Sequence, residues 1–190
     1  MGSAQTSSKQ RVKKRKEKDL LRIFLGNEEP DAYTKLTFYI LLIISMLFFI
    51  WNVVGFIAIS YQHLLYTHRH VAIDAIFAQR GSQLGFSAEE FTHRLSVLFI
   101  AGICCWTVIL GALALLWRKN TRYFPILIVC AIFYIAMHLF YLGYGYFKTD
   151  TSAFDKIALL ALFAVAILHS LILKREKSGS GLSFFGEDDE

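Results

Sequence analysis

Four long segments of the chain consist almost entirely of apolar residues, and polar residues are gathered between them and at the two ends. Each segment exceeds the roughly 18 residues that cross about 30 Å of hydrocarbon at about 1.5 Å per residue. An unpaired backbone amide in lipid is costly, and none of the segments alternates apolar and polar positions as a barrel strand does. The pattern therefore predicts an all-α, polytopic membrane protein with four transmembrane helices in an antiparallel bundle. The bundle is expected over residues 31–175, with spans at 36–60, 95–117, 123–147 and 154–173.

Residues 61–94, between the first two spans, have the pattern of a helical outer hairpin. Residues 62–79 contain no Gly or Pro and carry apolar residues at helical spacing, which predicts that the first helix continues past Ser60. Residues 81–85 contain two glycines and predict a turn. Ser87 followed by Glu90 matches a capping box, so the second helix is expected to begin near Ala88, ahead of its membrane span.

Composition and charge agree with a membrane location and predict how the chain is threaded. Hydrophobic residues make up 55% of the chain and charged residues 18%, which is little charge for a soluble domain of 190 residues. Fifteen of the 20 Lys and Arg residues lie in 1–35, 118–122 and 174–177. Because basic residues stay on the cytoplasmic side, both termini are predicted to be cytoplasmic. The long basic leader and the long first span argue against a cleaved signal peptide, and a bacterial inner membrane is expected.

The ends of the chain indicate contacts with the membrane surface. The leader, residues 1–30, contains Lys13, Lys14, Arg15 and Lys16, which are expected to contact anionic headgroups of the lipid bilayer. A basic run alone is weak evidence for nucleic acid, and no nucleic-acid partner is expected. Residues 176–190 are rich in Gly, Ser and acidic residues and predict a flexible cytoplasmic tail. Small residues on the second and fourth spans predict protein partners or self-association through helix packing.

Few polar side chains fall within the spans. No Asp, Glu, Lys or Arg lies in the interior of any span, which argues against a proton pump, an ion-coupled transporter or a charge-selective channel. The most strongly polar residues in the interior of the spans are Asn52, His138 and His169, and Asn52 is expected to hydrogen-bond between helices. A haem held by both histidines is not expected, because on upright helices their depths differ by about 16 Å.

Aromatic side chains recur at helical spacing on the third span, at Tyr134, His138, Tyr141 and Tyr144. A stripe of this kind is typical of helix packing and of the aromatic girdle at a membrane boundary. The same hydroxyl and imidazole groups also leave open a polar pocket, as in a small carrier for a neutral or lipidic solute.

The segment between the first two spans holds the best candidate for a metal site. His63, His70 and Asp74 lie on one face of the predicted helix, and Glu90 and His93 form Glu-x-x-His on the opposing segment. Imidazole and carboxylate groups one turn apart can bind a divalent transition metal, although bundle metal sites use this spacing on two helices. Hydrogen-bonded pairs explain the same residues, so no cofactor is expected and a divalent transition metal is the alternative.

No G-x-S-x-G, P-loop or H-E-x-x-H motif occurs in the chain. The sequence therefore favours a small non-enzymatic membrane protein that scaffolds, assembles or regulates a membrane complex. The alternatives are a metal- or cofactor-binding redox protein that uses the hairpin residues, and a small carrier that uses the aromatic stripe.

Overall fold

The computed structural model describes residues 30–61 and 73–177, and within these ranges every regular element is a helix. The α-helices are α1 (Ala32–Ser60), α2 (Ile73–Gln83), α3 (Ala88–Trp117), α4 (Tyr123–Ala136), α5 (Gly143–Thr149) and α6 (Ala153–Lys177), and a π-helical turn (Met137–Tyr141) follows α4. Four helical segments are long and apolar enough to cross a membrane, as predicted: Ala32–Ser60, Ala88–Trp117, Tyr123–Tyr141 and Ala153–Arg175.

The first span begins with a side-chain cap and ends at Ser60. The carboxylate of Asp31 accepts a hydrogen bond from the backbone N–H of Thr34, which satisfies one of the free donors at the helix start. At the other end Tyr61 adopts φ −110° and ψ 18°, outside the helical region. The prediction that this helix continues past Ser60 is therefore wrong at Tyr61, and residues 62–72 lie outside the described residues.

The start of α3, ahead of the predicted second span, was predicted correctly. The hydroxyl of Ser87 accepts from the backbone N–H of Glu90, and α3 begins at Ala88. The predicted turn is shorter than expected, because α2 extends to Gln83 and only the residues after it turn the chain, with Gly85 at φ +85°. Gly81 is buried against the side chain of Phe91, so the end of α2 packs closely on the start of α3.

The third span is broken, whereas the sequence predicts one helix over 123–147. After α4 the chain forms the π-helical turn, and α5 begins after Leu142 with Gly143, whose φ is +90°. A π-helical turn holds one residue more than an α-helical turn, so it rotates the residues that follow relative to those before it. A positive φ is a conformation that glycine adopts without steric cost.

The helices pack around two clusters of buried apolar residues. The larger contains the stacked rings of Phe48 and Trp106, whose centroids are 4.6 Å apart. The smaller contains Ile59, Phe91 and Leu142. We call the part of the bundle where Asp31 pairs with Lys119 the Asp31 end, and the part where Arg80 pairs with Asp150 the Asp150 end.

Apolar side chains also cover the outside of the four spans. Each span exposes large aliphatic residues, among them Val54, Val108, Val129 and Leu160. A soluble monomer rarely exposes apolar patches of this extent, and lipid tails are a suitable solvent for them. The architecture is that expected of an integral, multi-pass membrane protein.

Candidate functional site

Side chains from three spans meet around His169 at the Asp31 end. His169 is buried on α6, and its Nε2 lies 3.2 Å from Oγ1 of Thr34 on α1. Its Nδ1 lies 2.7 Å from the hydroxyl of Tyr123, the first residue of α4. The ring of Tyr33 stacks on the imidazole at 5.6 Å between centroids. One imidazole therefore links α6 to both α1 and α4.

Counting protons gives these hydrogen bonds a direction. Thr34 donates its single hydroxyl proton to Oδ1 of Asp31 at 2.8 Å, so it can only accept at the contact with His169. His169 therefore donates from Nε2, and the neutral ring accepts at Nδ1 from the hydroxyl of Tyr123. The chain of donors runs from Tyr123 through His169 and Thr34 to Asp31. The same Tyr123 hydroxyl makes a longer contact, 3.3 Å, with the carbonyl of Ala166.

Asp31 ends this chain beside the cation of Lys119, whose Nζ lies 2.6 Å from Oδ1. Desolvation by burial acts to raise the pKa of Asp31, but the hydrogen bonds from Lys119 and Thr34 outweigh it and lower the pKa to about 2. Lys119 has φ 51°, and the backbone N–H groups of Lys119 and Asn120 bond to Leu116 and Leu115 at the end of α3. This is the helix ending in which glycine is commonest. In this protein a lysine takes that position, and its side chain pairs with Asp31.

The residue types around His169 resemble a nucleophile and its base, but their burial argues against that chemistry. Thr34, Tyr123 and His169 are almost completely buried, and none of them lines the cavity at the Asp150 end. A nucleophile must reach its substrate. The arrangement is instead suited to holding α1, α4 and α6 together.

A second polar contact lies deeper in the bundle, between Asn52 on α1 and Tyr134 on α4. Nδ2 of Asn52 donates to the backbone carbonyl of Phe48 at 2.7 Å and to the hydroxyl of Tyr134 at 3.2 Å. The amide is completely buried. Its Oδ1 lies against Gly102 of α3, where a Cβ atom would be only 2.0 Å from this oxygen. Asn52 thus fixes the approach of three spans, as expected of an amide between membrane helices.

Arg94 of α3 supports the break in the third span. Its guanidinium donates to the backbone carbonyl of Tyr141, the last residue of the π-helical turn, and pairs with Glu90 at 2.9 Å. The same guanidinium lies 4.5 Å from the ring centre of Phe86. A change of helical register leaves carbonyls without their usual partners, and a charged donor satisfies one of them here.

A cavity of about 70 Å³ lies between the spans at the Asp150 end, and we call it the aromatic cavity. Six of its twelve lining residues are aromatic: Phe48, Trp51, Phe99, Tyr134, Tyr146 and Phe147. His138, from the π-helical turn, lines it together with two aspartates, Asp150 and Asp155. On the measure by which one water needs about 10–15 Å³, the cavity has room for roughly five water molecules.

The three polar residues singled out in the spans are all buried, but their surroundings differ: Asn52, His138 and His169. His169 lies at the Asp31 end beside Thr34 and Tyr123, whereas Asn52 contacts Tyr134. The ring centroid of His138 lies 4.4 Å from that of Tyr134, and His138 lines the cavity. The contacts do not bring the two imidazoles together.

The predicted aromatic stripe is only partly present. Tyr134 and His138 share the cavity, but Tyr141 packs against Arg94 and Tyr144 is exposed. Tyr146 takes the place beside His138, at 6.2 Å between ring centroids. The π-helical turn causes this change, because it shifts the helical register between His138 and the residues after it.

The candidate metal ligands lie only partly within the described residues. His63 and His70 are outside them, and so is the side chain of Asp74. Glu90 pairs with Arg94, and His93 is exposed on α3. Within residues 30–61 and 73–177 no three His, Cys, Asp or Glu side chains are arranged to hold a metal ion. The metal site stays a prediction, as do the headgroup contacts of Lys13, Lys14, Arg15 and Lys16, which also lie outside the described residues.

Four residues around His169, which together with it we call the His169 cluster, were not singled out from the sequence: Asp31, Tyr33, Thr34 and Tyr123. Asp31 carried a usable signal, since an Asp between Pro30 and the first apolar run is a typical helix cap. Thr34 and Tyr123 carried none, because their roles depend on an imidazole 135 and 46 residues away.

Comparison of the chain with protein-family models, with curated proteins and with solved structures finds no match.

Proposed function

We propose that the protein is a small, non-enzymatic membrane scaffold, a subunit that assembles or regulates a larger membrane complex through helix packing. The observation that carries this proposal is the use of the buried polar side chains. His169 bonds to α1 and α4, and Asn52 bonds to Tyr134 across the bundle. Polar groups that a membrane enzyme would turn towards a substrate are used here to hold helices in fixed positions.

The outward faces of the spans supply surface for such a role. Val54, Val108, Val129 and Leu160, one on each span, have exposed side chains, and Leu160 is 70% exposed. Either lipid or the helix of a neighbouring chain can cover these faces, since association between membrane helices depends on close packing. The scaffold proposal requires that at least one face is covered by protein.

Photocrosslinking in native membranes tests this requirement. A diazirine amino acid of leucine-like size is introduced singly at Val54, Val108, Val129 or Leu160. At least one position is expected to give a crosslink to a single, reproducible protein chain, either a partner or a second copy. Leu162, which is fully buried on the same helix as Leu160, is the matched control and should give none. Crosslinks to lipid alone from all four positions would overturn the scaffold proposal.

We also propose that the four spans form an antiparallel bundle with both termini in the cytoplasm of a bacterial cell. The distribution of Lys and Arg supports this threading. It also agrees with the pairing of Asp31, at the start of α1, with Lys119, just after the end of α3.

Labelling of single introduced cysteines tests the threading. The protein is first freed of Cys104, Cys105 and Cys130, and then carries either Ser82→Cys or Thr121→Cys. A membrane-impermeant maleimide added to intact cells is expected to label the first variant, whereas the second should react only after permeabilisation. Equal labelling of both variants in intact cells would contradict the threading.

A further inference from the structure

The aromatic cavity combines rings with groups that accept hydrogen bonds. His138 donates from Nδ1 to the backbone carbonyl of Tyr134 at 2.9 Å, so in the neutral ring Nε2 is an acceptor. Asp155 receives one hydrogen bond from the backbone N–H of Ser152 at 3.1 Å. A carboxylate has about four lone-pair sites, which leaves it further accepting capacity. The hydroxyl of Thr151, a third lining residue, is buried without a partner among the described residues.

Of the two carboxylates at the cavity, only one is in an ion pair among the residues that the structure describes. The lining includes Asp150 and Asp155 but no Lys or Arg. The guanidinium of Arg80 binds both oxygens of Asp150, at 2.9 and 3.1 Å from Nε. Asp155 forms no ion pair with any residue in the described part of the chain, and Nζ of the adjacent Lys156 binds the carbonyl of Lys148 instead. The negative charge at the cavity therefore belongs to Asp155.

Six aromatic rings, together with a carboxylate that has no ion-pair partner among the described residues, favour a positively charged ligand. Ring faces attract cations, and the attraction grows when the cation is removed from water. Lys156 already uses one such face, with its Nζ 5.4 Å from the ring centre of Phe147. A bare metal ion fits less well, because it needs several oxygen or nitrogen ligands at short range, whereas half of this lining is hydrocarbon. A ligand with both apolar surface and positive charge matches the whole lining.

We propose that the aromatic cavity binds the ammonium group of a small organic amine. The charge lies beside Asp155, and the N–H or N–CH₃ groups face the rings. The volume suits an ammonium group with about five non-hydrogen atoms. Such a group can belong to a free amine or to the headgroup of an aminophospholipid, because the lining includes Asp150 and Thr151, which lie in the link between α5 and α6 at one end of the spans. This proposal does not depend on the scaffold function.

Binding of three labelled amines to the purified full-length protein tests the proposal: methylammonium, ethanolamine and choline. At least one is expected to bind saturably, and its neutral counterpart, such as 3,3-dimethyl-1-butanol for choline, should compete at least about tenfold more weakly. Absence of saturable binding for all three amines, or equal competition by the neutral alcohol, would overturn the proposal. The second result would assign the cavity to neutral solutes.

Asp155→Asn is the matching variant, because asparagine keeps an oxygen for Ser152 and removes only the charge. It is expected to weaken amine binding about tenfold. Glu89→Gln removes one carboxylate charge from an exposed position outside the lining and should leave binding unchanged. If Asp155→Asn lowers the melting temperature, Thr151→Val provides a second variant within the lining, with a weaker but measurable loss. Unchanged affinity in a folded Asp155→Asn protein rules out the assigned role of this carboxylate.

Nanodiscs separate the two sources of the ammonium group. The amine that binds is compared in discs of phosphatidylglycerol alone and in discs containing phosphatidylethanolamine. Weaker amine binding in discs that contain phosphatidylethanolamine indicates that the lipid headgroup occupies the cavity. Equal binding in the two kinds of disc indicates that the ligand is a free amine. Both results retain the ammonium site and decide which ligand to seek in cells.

Discussion

The Gly102→Ala variant is expected to have a free energy of unfolding about 1–3 kcal/mol lower than that of the unmodified protein. The added Cβ would lie 2.0 Å from Oδ1 and 2.5 Å from Cγ of Asn52, and 3.0 Å from the ring of Tyr134. The amide of Asn52 cannot swing aside freely, because its Nδ2 is bonded to Phe48 and Tyr134. Either α1 and α3 must separate or these hydrogen bonds must be lost. Reversible unfolding in mixed micelles measures the change.

Gly111→Ala is the matched control for this prediction. Gly111 lies on the same helix, and a Cβ atom there meets nothing within 4 Å, so the free energy of unfolding should not fall, and the helix propensity of alanine adds at most about 1 kcal/mol to it. The double variant Asn52→Ala/Gly102→Ala removes the clashing atoms and should lose less stability than the two single changes added together. A Gly102→Ala protein as stable as the Gly111→Ala protein would show that the contact between Asn52 and α3 is not tight.

The apolar spans were predictable because their positions depend only on whether each stretch of residues is more stable in lipid or in water. An uncharged run of about 20 residues is more stable in lipid than in water whatever the other helices do, so its location follows from local sequence alone. The same holds for the start of α3, where Ser87 and Glu90 are three residues apart and need no distant partner.

The break in the third span was not predictable on these grounds. Its carbonyl at Tyr141 is satisfied by Arg94, which lies 47 residues earlier in the chain. Gly143 was visible in the sequence, but a glycine in a membrane helix is ordinary and does not by itself indicate a positive φ. The lining of the aromatic cavity depends on the helical register after this break. The sequence therefore missed Tyr146 as a lining residue and wrongly placed Tyr141 on the same stripe as His138.

The buried histidines show the same division between local and distant information. Their burial follows from their positions within apolar runs, but the partners of His169 belong to α1 and α4 and depend on how the helices are arranged. The sequence thus identified which polar groups lie in the spans. It did not indicate that His169 ties helices together, and it left a pocket at His138 only as an alternative to helix packing.

The second large effect on stability is expected at His169, because its side chain joins three spans. His169→Ala removes an imidazole that is buried between Tyr33 and Tyr123, so it leaves a void and takes away the hydrogen-bond partner of the Tyr123 hydroxyl. We expect the free energy of unfolding to fall by about 3 kcal/mol, from the void and the lost hydrogen bond together. The exposed His93 provides the control, and His93→Ala should change this free energy by less than about 0.5 kcal/mol.

A double-mutant cycle separates the hydrogen bond from the packing. Tyr123→Phe keeps the ring and removes only the hydroxyl, so it should cost about 1 kcal/mol by leaving Nδ1 of His169 without a donor. Once the imidazole is absent, the same change should cost much less, and the double variant should be more stable than the sum of the two single losses predicts. Strict additivity would mean that the bond between Tyr123 and His169 contributes no coupling. The link between α4 and α6 at the Asp31 end would then rest on shape alone, and the polar contacts would no longer account for a fixed bundle.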